Sequence, residues 1–104
     1  MFVNACDDTG KTALMKAAMF NDPDVMKALL DAGADPNTQD GDGWTALMRA
    51  AMFNEPNGIM VLMEAGADVG AADSEGRTAI FYARGNDKLK GSEALMLMED
   101  KSWR

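Results

Sequence analysis

The chain runs to 104 residues, 47% hydrophobic and 26% charged, with a net charge of −7; this bounds it to one domain near the small end for an independent core. The acidic balance disfavours nucleic acid, which needs a basic footprint, no apolar run reaches the length that spans a bilayer, and no signal peptide opens the chain. Without histidine the commonest general base and metal ligand is missing, and the single cysteine excludes an internal disulfide and fits a reducing, cytoplasmic setting.

In chain order, the first element is the turn Asp7-Asp8-Thr9-Gly10, in which Asp bonds its own downstream backbone and Gly supplies an unusual dihedral. Thr12 then reads as the N-cap of a short helix carrying Leu14, Ala17 and Ala18 on one side, ended by Asn21. Asp22-Pro23 is N-cap followed by first-turn proline, opening a second helix with Val25, Met26, Leu29 and Leu30 that Gly33 stops. The same elements then return. Asp40 and Asp73 follow Asp7 at intervals of 33, as do Gly43 and Gly76 after Gly10 and Thr45 and Thr78 after Thr12. Gly33-Ala34-Asp35 recurs as Gly66-Ala67-Asp68. Asn54 and Glu55-Pro56 repeat the helix stop and restart, and Ile59, Leu62 and Met63 fill the next second helix. Gly91 interrupts the last one, so it starts near Ser92, and the loop from Gly85 to Gly91 is expected to be longer and more mobile than its counterparts. A fixed period of this size is the mark of a solenoid, whose units bury their apolar faces against each other.

Turn, helix, turn, helix with D-x-x-G-x-T-A-L-M and A-G-A-D resembles the ankyrin repeat over essentially residues 1 to 99. The resemblance implies an all-α solenoid of three stacked helix-turn-helix units with hairpin-like turns, approximately residues 5–37, 38–70 and 71–101 of a single domain. The family's T-P-L-H signature is altered to Thr12-Ala13-Leu14-Met15, Thr45-Ala46-Leu47-Met48 and Thr78-Ala79-Ile80-Phe81. Loss of the His removes a hydroxyl–imidazole bond, and Met and Phe are expected to replace it with packing. The alignment starts in the middle of a unit, which favours excision from a longer array. An open end face then predicts a monomer with weak self-association.

No catalytic constellation emerges, and no cofactor is expected. Cys6 has no partner base. Residues 35–43 superficially resemble a calcium loop, but the alternation of oxygen ligands breaks down and no Glu stands at the twelfth position. Most of the ten methionines read as core filler, Met15, Met26, Met48, Met63 and Met96 among them.

The candidate binding residues come from the resemblance. It places Met19-Phe20, Met52-Phe53 and, in the third unit, Gly85-Asn86 on the concave groove, and Lys11, Trp44 and Arg77 on the hairpins. Phe20 and Phe53 either tuck against the next repeat or join an exposed apolar patch. Trp44 replaces the Lys11 and Arg77 of its neighbours, so it is expected to face solvent, and Trp44→Ala to change stability by no more than about 0.5 kcal/mol. Asp8, Asp42, Ser74 and Glu75 form an acidic rim, which is either solvated surface or a match for basic flanks on a partner. The implied function is non-enzymatic protein–protein interaction through hairpin tips and concave face. The alternatives are a terminal structural segment of a longer repeat protein and a regulatory domain of an enzyme.

Overall fold

A computed structural model describes residues 3–20, 22–53 and 56–101. Among the described residues six α-helices form two layers. The first layer holds α1 (Ala13–Met19), α3 (Ala46–Phe53) and α5 (Ala79–Arg84), packed in that order. The second holds α2 (Pro23–Asp31), α4 (Pro56–Glu64) and α6 (Glu93–Lys101), and each second-layer helix packs on its own partner in the first. This is the three-unit helical solenoid expected from the period.

The core follows from small residues in the first layer. Ala17, Ala18, Ala46, Ala50, Ala51, Ala79 and Ala83 are buried and let the first-layer helices approach closely. Leu14, Met26, Leu47, Ile59, Leu62, Leu89 and Met98 fill the space between the layers and the units.

The caps are mostly those expected. Met15 and Met48 N–H donate to Thr12 and Thr45 Oγ1 at 3.3 and 3.2 Å, and Val25 N–H to Asp22 Oδ1. Ser92 Oγ accepts from Leu95 N–H at 3.1 Å, so α6 begins where the sequence placed it. Thr78 caps no backbone group with its side chain. Met15 does more than pack, since its thioether accepts from Thr12 N–H at 3.5 Å and completes a reciprocal cap. The helix stops assigned to Asn21 and Asn54, and the Glu55 restart, lie outside the described residues.

Side-chain ties also follow the period. Asn4 Oδ1 accepts from Asp35 N–H while its Nδ2 donates to Gly33 O; Asn37 repeats this with Asp68 N–H and Gly66 O. Gly70, next in register, has no side chain with which to continue the ladder. The turns are bonded to each other directly, Gly41 N–H to Thr9 O and Ser74 N–H to Asp42 O. That contact explains Gly43: its φ is +80°, and a Cβ there would lie 2.8 Å from Ser74 N.

Two expectations need correction. The segment from Gly85 to Gly91 is not a loose loop; it holds a 3-10 turn, Asp87–Leu89, anchored by fully buried Leu89 and by an Asn86 Nδ2 bond to Ala51 O at 3.0 Å. Met96 and Phe81, expected to pack, are 65% and 55% exposed. Phe81's counterpart Met48 is buried because a further unit stacks on it, and among the described residues none stacks on the third. Met96 faces out because α6 begins late, at Glu93 where the period from Pro56 would place Leu89, so that Ala94 and Met98 turn to the core instead.

Candidate functional site

Each hairpin turn is organised by its aspartate. Asp40 Oδ1 accepts from the N–H groups of Asp42 and Trp44, at 2.8 and 3.0 Å, and its Oδ2 meets the Arg49 guanidinium on α3. In the third unit Asp73 Oδ1 accepts from Glu75 and Arg77 N–H, and Tyr82 hydroxyl donates to Oδ2. In the first unit Asp7 accepts from Thr9 and Lys11 N–H and pairs with Lys16 at 3.2 Å. Lys16, Arg49 and Tyr82 thus hold one position, each tying a turn to its helix.

These contacts fix the ionisation states. The Thr9 hydroxyl, then the Lys11 and Thr9 N–H groups, hold Asp7 far below the usual carboxylate range. Burial works against ionisation of Asp40, but the Trp44 and Asp42 N–H groups and Arg49 outweigh it and keep its carboxyl low. The Tyr82 hydroxyl is the main cause of the lowering at Asp73; in return burial, then the bond and charge of Asp73, raise Tyr82.

Trp44 is not the free surface side chain expected from its variable position. It is half-buried against the core, with its ring centroid 4.4 Å from that of Tyr82 and the Arg49 guanidinium 4.9 Å from its own. Arg49 in turn reaches the Met19 sulfur through Nη1 at 3.6 Å, and among the described residues its buried Nε meets no hydrogen-bond partner. A chain of soft contacts therefore runs from Met19 through Arg49 and Trp44 to Tyr82, across all three units.

The candidate residues divide into groups. Asp42, Trp44, Ser74, Glu75 and Arg77 come together around one cavity of about 360 Å³ between the second and third turns. Met52 and Arg77 line a larger groove of about 660 Å³ at the end of α5. Phe20 is 77% exposed and Phe53 is also exposed at the ends of α1 and α3, which decides against their tucking under the next unit. Asp8 is exposed and Lys11 half-buried on the first turn, where the Lys11 amine reaches Thr9 Oγ1 at 3.4 Å. None of Asp8, Lys11, Met19, Phe20 and Phe53 lines either cavity.

Sequence reasoning passed over Arg49 and Tyr82, which brace the turns, and Phe81 and Arg84, which shape the larger groove; it placed Gly85 at a groove position without making it a binding residue. Gly85 stands in register where the other units have Met19 and Met52, so the missing side chain there was the signal for the groove. Among the described residues no group of three or more His, Cys, Asp or Glu could hold a metal ion, and no helix is long and apolar enough to cross a membrane.

This geometry, two helical layers with hairpin turns bonded edge to edge, is that of a stacked-repeat helical solenoid. The family described as ankyrin repeats (3 copies) matches residues 1–40 and 14–102, and the chain belongs to the ankyrin-repeat family. Over 38 residues it is 47% identical to YahD of Escherichia coli (strain K12), whose name cites an ankyrin repeat; the match covers 36% of this chain and 19% of that protein. The chain thus spans about a fifth of the length of that curated relative. Ankyrin repeats are in general protein–protein interaction modules, and the family is typically non-enzymatic.

Proposed function

We propose that this chain is a non-enzymatic module that grips a protein partner between its hairpin turns and the face of α1, α3 and α5. The observation that carries this reading is the set of large apolar side chains left in solvent at the ends of α1 and α3. Phe20, Met52 and Phe53 are exposed although Leu14, Leu47, Ala50 and Ala51 on the same helices are buried. Large apolar side chains held in solvent beside a buried helix face are characteristic of interaction sites. The acidic rim of Asp8, Asp42, Ser74 and Glu75, with Lys11, Trp44 and Arg77 inside it, supplies polar contacts at the edge. The reading takes residues 1–104 as one working unit in the cytoplasm, needing no cofactor and changing no covalent bond.

Affinity capture with the wild type, with the double variant Phe20→Ser/Phe53→Ser and with Glu64→Lys on α4 tests this. Partner yield should fall at least about tenfold in the double variant, the scale of a hot-spot loss, and hold in Glu64→Lys. Yield that survives the double variant and drops with Glu64→Lys would place binding on the second helix layer.

A further inference from the structure

We propose that the groove at the end of α5 receives one apolar side chain of a partner protein segment, and that Arg77 and Arg84 hold a carboxylate beside it. This rests on the protein-binding reading above and adds the chemistry of the partner.

The groove has the volume of a ligand site, about 660 Å³ against a usual range of roughly 300–1,000 Å³. Its walls include Met52, Ile80 and Phe81, and among the described residues the charged groups that line it are Arg77 and Arg84. It exists because Gly85 has no side chain where the first two units carry methionine. The backbone does not require that glycine. Its φ is −85°, and a Cβ there would meet only Tyr82 O, at 3.6 Å, an ordinary contact. The space is therefore a property of this position and not a by-product of a turn. Phe81 stays more than half exposed beside it even with the Arg77 guanidinium 5.4 Å from its ring.

Charge selects the occupant. The helices α1, α3 and α5 carry no acidic residue, and their cations are Lys16, Arg49 and Arg84. Of these, Arg49 is buried against Asp40 and Lys16 stands on the first unit; only Arg84 lines the groove, together with the neighbouring Arg77. Each of these is steadied from outside the groove through one Nη2, Arg84 by Glu99 at 3.1 Å and Arg77 by Glu75. A guanidinium has five donors in a fixed fork, so each keeps N–H groups for a second carboxylate and is already restrained in position. Exposed pairs of this kind exchange readily, so Glu99 and Glu75 do not close the site. A segment pairing an aromatic or aliphatic residue with a neighbouring Asp or Glu satisfies both halves of the groove.

The test is selection of a random linear peptide library on the whole chain, followed by affinity measurement of a synthetic winner on wild type, Gly85→Met and Arg84→Glu. Gly85→Met restores the side chain of the other two units and fills the groove at a φ that accepts it. Winners should pair an apolar residue with Asp or Glu, and both variants should weaken binding at least about tenfold with melting temperature unchanged. Winners rich in Lys or Arg, or binding indifferent to both variants, would overturn the assignment. If such winners still depend on Phe20 and Phe53, the broader reading stands without this one. Failure of the library to enrich any sequence also overturns the groove assignment, while affinity capture judges the broader reading independently. Self-association of the wild type in sedimentation velocity, abolished by Gly85→Met, would show that a second copy occupies the groove and would equally overturn the proposal.

Discussion

The second and third units share one plan and present different surfaces. Met48 is completely buried while Phe81, one period later, is exposed. Asn37 ties two strands of backbone where Gly70 ties none, and Met52 has a side chain where Gly85 leaves a groove. The difference teaches that a repeat position has no environment of its own. The neighbouring unit decides whether a side chain is core or surface, so chemically similar residues in register can do opposite work.

The comparison can be broken most directly by truncating its two ends. Met48→Ala should cost about 3 kcal/mol, since it removes a fully enclosed side chain and leaves a cavity, whereas Phe81→Ala should cost less than about 1 kcal/mol. Denaturant unfolding of both checks this, and equal losses would erase the distinction. Next in size is the brace beneath each turn. Arg49→Ala strands the buried Asp40 carboxylate and should cost about 3 kcal/mol; Lys16→Ala opens an exposed pair and should cost about 0.5 kcal/mol. Trp44→Ala should lose about 2 kcal/mol, because the ring packs on Tyr82 and Arg49 and is not idle in solvent.

Acid sharpens the same comparison. Asp7, Asp40 and Asp73 all titrate lower in the folded chain than in the unfolded one, where an Asp titrates near ~3.9. The unfolded state therefore binds more protons, and the stability these groups contribute is present above about pH 5 and is lost as pH falls through about 4 and below. Tyr82 is raised, so its contribution is present below about pH 10 and is lost as pH climbs through its folded value. Thermal melts across pH should show a plateau with both shoulders, and an acid rise in stability would contradict the bonding described. The smallest effect is Gly85→Met, which should leave stability within about 0.5 kcal/mol, because its φ suits any residue.

The fold was legible because its signals are local and repeated. Asp and Gly set each turn, Thr12 and Thr45 cap their helices, and Ser92 opens α6, all through contacts within a few residues. What escaped depends on partners further away. Trp44 looked solitary because Arg49 and Tyr82, which enclose it, stand on a helix of its own unit and on the next unit. The brace escaped because Lys16, Arg49 and Tyr82 share a position but not a chemistry, a cation in two units and a phenol in the third. Phe81 was read as core because in-register alignment carries over residue type but not the covering unit, and Met96 because a strict 33-residue alignment misses the later start of α6. The segment after Gly85 was read as loose because its anchors, buried Leu89 and the Asn86 bond to Ala51, reach outside the segment itself.

The measurement that bears most directly on partner binding through the first helix layer uses the protein's own methionines. Methyl-labelled methionine gives separate reporters on the two layers, Met19 and Met52 on the proposed face and buried Met26 and Met63 on the second-layer helices. On titration with captured partner, the Met19 and Met52 methyl resonances should shift or broaden while Met26 and Met63 hold their positions. Shifts confined to Met26 and Met63, with Met19 and Met52 unmoved, would contradict binding through that face.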